Sequence, residues 1–224
     1  MNLTRVVKNI FFLLVTVFSA LTLSVITISI KNGTGEFAPF DNAISDALSH
    51  IRTGPLTHIM LLVTNIGSPF VLSLIAIILA ILLVLHRDTF DTLLYIVAIA
   101  LSIISFVVMK NALGIPRPTG GLIADLSGWS FPSGHATVAT TFFFVTAYSF
   151  FSWPKHWPYR VAIAIICIVA PILVAFSRVY LGVHFAIDVL ARMLLGLLCT
   201  SLTILIFNAF LSEKEWWRKR VRDL

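Results

Sequence analysis

Residues 9–30 read "NIFFLLVTVFSALTLSVITISI", a run with no charged side chain. About 20 apolar residues are what an α-helix needs to cross the roughly 30 Å hydrocarbon core of a bilayer. Inside hydrocarbon every backbone N–H and C=O must be satisfied within the protein, which leaves only helices and closed barrels as spanning structures. Arg5 and Lys8 precede the run, as in a signal peptide. It is longer than the roughly 7–15 apolar residues of a cleaved signal, however, and no clear small-residue cleavage site follows it. The expectation is a retained first transmembrane helix.

The rest of the 224-residue chain extends this reading. Hydrophobic residues make up 58% and charged residues 12%, whereas a soluble domain carries about 25% charged residues. The formal net charge of +6 does not point to nucleic acid, because the basic residues sit between apolar blocks and form no stripe with interleaved aromatics. Cys167 and Cys199 each lie inside an apolar run and read as small hydrophobes rather than a disulfide framework.

Residues 40–52, "FDNAISDALSHIR", place Phe40, Ile44, Ala47, Leu48 and Ile51 at helical spacing. Asp41, Asn42, Ser45, Asp46, Ser49 and Arg52 fill the other side. This predicts an amphipathic helix lying in the membrane interface. A short apolar helix from Leu56 to Asn65 is interrupted at Gly67-Ser68-Pro69. Apolar runs follow at 70–86, 90–109, 136–152, 160–176 and 185–211. With the first helix they make six. The expected fold is therefore an all-α integral membrane protein of six transmembrane helices, with the interfacial helix between the first and second. A single domain is expected over 1–224.

With the N-terminus in the cytoplasm, that side collects Arg5, Lys8, Arg87, Lys155, Arg160, Lys214, Arg218, Lys219, Arg220 and Arg222, and the other side Lys31, Arg52, Lys110, Arg117 and Arg178. Ten against five favours both termini inside, in a cell membrane. The tail over 212–224 pairs tryptophans with basic residues, which suits an anionic inner leaflet.

The charges left over define the function. Lys110 ends the third span, and Gly114, Pro116 and Pro118 hold Arg117 in the turn beyond it. "FPSGHAT" opens the fourth, Arg178 ends the fifth, and His184 and Asp188 open the sixth. Up-down topology brings these ends to one membrane face. Three permanent cations, two histidines and one carboxylate describe an anion pocket, and phosphate fits it best, since arginine binds its oxygens through several planar donors and lysine adds a point charge. Ser133 and Gly134 at a helix start add free backbone N–H groups and the helix dipole. His184 and Asp188 are four apart, so a carboxylate can fix the imidazole tautomer and leave the other nitrogen free to attack. His135 can protonate the departing alkoxide, a role worth about 10²–10⁴-fold. Arg192, one turn beyond Asp188, is expected to pair with it. Asp125 and the histidines at 50, 58, 86 and 156 read as solvated.

The sequence patterns K-x6-R-P, P-S-G-H and S-R-x5-H-x3-D occur in order between Lys110 and Asp188. Together they resemble the three-part signature of the type 2 phosphatidic acid phosphatase family, the membrane branch of a superfamily that includes vanadium haloperoxidases. No position departs from the pattern. The resemblance implies a metal-independent phosphatase that forms a covalent phosphohistidine. By it His184 is the nucleophile, Asp188 its partner and His135 the acid, while Lys110, Arg117, Ser133, Gly134 and Arg178 bind phosphate. No cofactor or metal is expected; a His-x3-Asp pair could hold an ion, but no third ligand accompanies it convincingly. The expected partner is a lipid phosphate whose tail stays in the bilayer, with undecaprenyl pyrophosphate, phosphatidylglycerophosphate and phosphatidic acid as candidates. Two other readings compete. A transporter using the charges as a relay would place them near the midplane in an internal repeat, and none is found. A non-catalytic phosphate-binding homologue would lack a nucleophile or acid, and both are present.

Overall fold

Each apolar run becomes a helix, and the breaks between runs carry the residues that end helices. The structure, a computed structural model, describes residues 3–114, 121–123, 134–151 and 153–210. Among these, all regular structure is helical: α1 Leu3–Asn32, α2 Ala38–Ile51, α3 Gly54–Ile66, α4 Pro69–Leu85, α5 Thr89–Leu113, α6 Gly134–Phe150, α7 Trp157–Tyr180 and α8 Ala186–Phe210.

The starts are written locally. The hydroxyl of Thr53 accepts from the Leu56 N–H at 3.4 Å, Ser68 does the same for Val71 at 3.3 Å, and the Asp88 carboxylate accepts from Asp91 at 3.0 Å. Each satisfies one backbone donor that the first helical turn leaves over. Proline follows in the first turns of α3 and α4, where its missing N–H costs nothing. At its other end α5 stops at Gly114, whose φ of 59° lies in the left-handed region and suits glycine.

Four helices, α1, α5, α7 and α8, are long and apolar enough to cross a membrane. A fifth span results if α3 and α4, bent by 48° at their break, count as one. The remaining expected run, which becomes α6, has 17 residues, about 26 Å at 1.5 Å per residue. The chain is thus a multi-pass membrane protein of helices.

Helix α8 is central and α1 peripheral: 56% of the most apolar stretch of α8 is buried, against 17% for α1. The outward residues Phe11, Leu14, Phe18, Leu21 and Val25 of α1 are exposed, as a lipid-facing stripe requires. Its other face packs Leu23 and Ile26 onto Ile187, Ala191, Leu195 and Cys199 of α8. A second core joins Leu72 and Leu83 of α4, Leu94 and Tyr95 of α5, Val138, Phe142 and Val145 of α6 and Ile204 of α8.

Between membrane helices the apolar driving force is weak, so small residues and polar contacts draw them together. A Cβ on Gly196 would lie 2.7 Å from the Thr137 carbonyl oxygen and 2.7 Å from Thr140 Cβ, so α8 and α6 cross backbone to backbone. The Thr141 hydroxyl donates to the Gly196 carbonyl at 3.2 Å. Thr16 donates to Ser201 at 2.8 Å, and Asn208 to Asn9 at 3.1 Å, fastening α1 to α8.

Candidate active site

The site residues lie where α5, α6, α7 and α8 end or begin, and these helices pack as neighbours in chain order. Lys110 occupies the last turn of α5 and is half-buried. Gly134 and His135 are the first two residues of α6, also half-buried. Arg178 lies in the last turn of α7 and Asp188 in the first turn of α8. Arg178, His184 and Asp188 are only 5%, 3% and 2% exposed. Arg117 and Ser133, like Asp125, fall outside the described residues. Directly beneath the site Ala136, Ala175 and Val189 form one apolar cluster with Val179 and Met193. The neighbours of His135, Arg178 and Asp188 along the chain therefore share a floor.

Helix α8 begins at Ala186, two residues later than His184. The two residues His184 and Asp188 are four apart, but only Asp188 is helical. His184 stands in the turn that joins α7 to α8. That turn is tightly specified. Gly182 has φ 67°, a backbone shape that costs glycine little. The Leu122 N–H donates to the Leu181 carbonyl at 2.8 Å, and the Val183 N–H to the Arg178 carbonyl at 3.2 Å. A Cβ on Gly121 would come within 2.7 Å of the Gly182 oxygen, so the 121–123 segment lies flat on the turn.

Helices α2 and α3 brace the other side. Leu48 and Met60 pack with Tyr180, Leu181 and Val183. Arg52 Nε donates to the Tyr180 carbonyl at 3.1 Å, the Thr53 N–H donates to the Tyr180 hydroxyl at 3.2 Å, and Thr57 shares a 3.2 Å hydrogen bond with that hydroxyl. Arg178 Nη1 donates to the hydroxyl of Thr64 at 2.7 Å. The break between α3 and α4 lies at this same level, with Gly67 against Val174 and Pro69 Cγ 3.0 Å from the Cβ position of Gly134.

Two features correct or complete the sequence reading. Asp41 was expected among the solvent-side residues of the amphipathic helix; instead it is half-buried and its Oδ1 accepts from the Ile187 N–H at 2.9 Å. Burial raises its carboxyl above the usual value of 3.8, the backbone hydrogen bond from Ile187 opposes this, and the charge of Asp188 raises it further. Thr64 carried no signal in an apolar helix. Arg192, by contrast, meets its expectation: its Nη2 lies 3.5 Å from Asp188 Oδ2, with the two side chains 0% and 2% exposed. No group of three or more His, Cys, Asp or Glu residues is placed to hold a metal ion among the described residues.

The family model described as PAP2 superfamily matches residues 91–211, which hold every one of these end residues from Lys110 to Arg192. The chain belongs to the PAP2 superfamily. Over 163 residues it is 39% identical to phosphatidylglycerophosphatase B of Bacillus subtilis, covering 70% of this chain and 78% of that protein. It is 32% identical over 114 residues to an undecaprenyl-diphosphatase of Sulfolobus acidocaldarius, covering about half of each, 50% and 51%. Among solved structures, the transmembrane PAP2-type phosphatidylglycerolphosphate phosphatase of Bacillus subtilis superposes with a TM-score of 0.77 at 31% identity, over 87% of this chain and 96% of that one. The family and the similar proteins make this chain a lipid phosphatase, a hydrolase of the membrane.

Proposed function

We propose that the protein hydrolyses a phosphomonoester or pyrophosphate of a lipid through a phosphohistidine, at the outer face of a cell membrane. The observation that carries this is the arrangement of His135, Arg178, His184 and Asp188 at adjoining helix ends over one apolar floor, in a chain similar to enzymes named for phosphatidylglycerophosphate and undecaprenyl diphosphate. The layout proposed is six spans: α1, the bent pair α3–α4, α5, α6, α7 and α8. Helix α2 lies in the outer interface, and both termini are cytoplasmic, as the lysine and arginine bias favours.

In the mechanism proposed, Lys110, Arg117, Arg178, Ser133 and Gly134 bind the phosphoryl oxygens and stabilise the charge that spreads over them in the transition state. The free imidazole nitrogen of His184 attacks phosphorus while the bond from phosphorus to the bridging oxygen breaks. His135 gives its proton to that oxygen, and the lipid alcohol or lipid phosphate leaves. Water then attacks phosphorus as the phosphorus–nitrogen bond breaks, His135 takes a proton from that water, and inorganic phosphate departs with His184 restored. Asp188 holds the proton on the far imidazole nitrogen throughout, and no metal takes part.

The test is phosphate release by purified protein in detergent with EDTA, from undecaprenyl pyrophosphate, phosphatidylglycerophosphate and phosphatidic acid in turn. Release from at least one of them, abolished in His184→Ala, is expected. A variant that keeps its activity, or an absolute need for a divalent metal, overturns the mechanism. A reporter fused after Leu224 should behave as cytoplasmic; an external signal would invert the layout.

A further inference from the structure

The residue at the start of α8 has no means of capping its own helix. The Val189 N–H donates to the Phe185 carbonyl at 3.2 Å, which makes Phe185 the cap residue, and a phenyl ring accepts no hydrogen bond. The first turn of any α-helix presents backbone donors that find no partner within the helix. One is met from 146 positions away: Asp41 Oδ1, on α2, accepts from the Ile187 N–H at 2.9 Å. A carboxylate there also suits the positive end of the helix dipole. Ile187 directly precedes Asp188 and lies three residues beyond His184, so this bond fixes the backbone between the two.

We propose that Asp41 is a positioning residue for catalysis, a cap supplied in trans that sets the start of α8 and with it the spacing of His184 and Asp188. It touches no reacting atom. It lies outside residues 91–211 that match the family model, on a helix that packs against both α7 and α8. Burial and the nearby Asp188 work against its charged form, while backbone hydrogen bonds from Ile187 and Ala186 favour it. The inference rests on the phosphatase reading above, and the experiment separates the two.

Phosphate release is measured for wild type, Asp41→Ala, Asp41→Leu, Asp41→Asn and, as a control, Asp46→Asn, which alters an exposed residue of the same helix. Misplacing reacting groups by about 1 Å can cost 10²-fold, so Asp41→Ala and Asp41→Leu should lower kcat roughly 10–100-fold with KM changed less than about 3-fold. Asp41→Asn retains an acceptor oxygen and should restore kcat to within about 3-fold of wild type. Asp46→Asn should match wild type. An inactive wild type defeats the phosphatase reading whatever Asp41 does. An active wild type defeats the inference if Asp41→Ala and Asp41→Leu keep their kcat, if only KM moves, or if Asp41→Asn does not restore the rate. Failure of both Ala and Leu variants to fold also counts against it, since the carboxylate would then hold the fold rather than the site.

Discussion

Replacing Arg192 with methionine removes a charge from an ion pair buried inside the bundle. Arg192 is fully buried, Asp188 nearly so, and their closest atoms are 3.5 Å apart. At an effective dielectric constant of 20, two unit charges at that distance attract by about 5 kcal/mol. Mutational experience agrees, because stripping one partner from a buried pair costs about 3–5 kcal/mol by leaving the other charge uncompensated. Methionine keeps the length of the side chain and adds no polar atom, so lost packing contributes little. For a chain of this size about 3–5 kcal/mol corresponds to roughly 6–20 °C in the melting midpoint. Arg192→Met should therefore melt that far below wild type in detergent, and Asp188→Asn should also be destabilised. Both residues make other contacts, so a double-mutant cycle is needed to isolate the pair. Removing both charges is commonly close to neutral, and the double variant should recover to within about 4 °C of wild type. A single variant that melts within about 2 °C of wild type, or a double variant whose losses simply add, would refute the claim that Asp188 depends on Arg192.

Three further outcomes are expected. Thr64→Val removes the acceptor of the 2.7 Å bond from Arg178; a bond to a charged group is worth about 1.5–3 kcal/mol, so kcat/KM should fall roughly 10–150-fold, with Thr64→Ser recovering most of it. Wild-type kinetics in Thr64→Val would show that the bond does not place the guanidinium. Gly196→Ala must move two backbones apart, since its Cβ would lie 2.7 Å from the Thr137 oxygen, and should cost about 1–3 kcal/mol in melting; Gly54→Ala, with open space around it, should stay within about 1 kcal/mol of wild type or gain slightly, and equal effects of the two would remove the case for close packing. Asp41 has a raised folded pKa, so the stability its protonated form contributes is fully present below about 3.8 and is lost as pH rises through the folded value; Asp41→Asn should therefore gain on wild type in melting midpoint from pH 4 to pH 8, and a constant difference would contradict the direction of that shift.

Much of this was written in the chain because lipid imposes hard rules. The uninterrupted run of α1 and the apolar stretches of α5, α7 and α8 had one available reading. Once helices alternate in direction, Lys110, His135, Arg178, His184 and Asp188 had to fall at one end of the bundle. Arg192 was legible for the same reason: a cation one turn from a carboxylate, in a buried helix, has an obvious partner. What escaped is what depends on distant partners. Periodicity put Asp41 with the polar face of α2, because a helical wheel knows only water and core. Its actual partner is a backbone N–H, which every residue but proline offers and no side chain announces. Thr64 hid likewise, as one hydroxyl among apolar neighbours. The late start of α8 has its own mark in the sequence: "VHFAID" places phenylalanine, which has no capping oxygen, at the position before Ala186.

That placement of His184 outside the helix bears on how the site works. A helical residue is held by hydrogen bonds on both sides, whereas a turn residue is mobile unless something else holds it. Here the turn is held at three points by two segments, the 121–123 loop and the two ends of α2. The Leu122 N–H binds the Leu181 carbonyl from the 121–123 loop, Arg52 binds the Tyr180 carbonyl from the end of α2, and Asp41 binds the Ile187 N–H from its beginning. Two of these clamps precede His184 and one follows it, so the residue is fixed from both sides without surrendering its own backbone to a helix. Tyr180 adds a side-chain anchor through Thr53 and Thr57. Loss of either clamp before His184 leaves the bond after it intact, whereas loss of Asp41 removes the clamp that α2 places after it. Arg52→Ala should consequently reduce kcat less than Asp41→Ala does, since Leu122 and Tyr180 still secure the same flank. If Arg52→Ala proved the more damaging of the two, the start of α8 would not be the controlling restraint on His184.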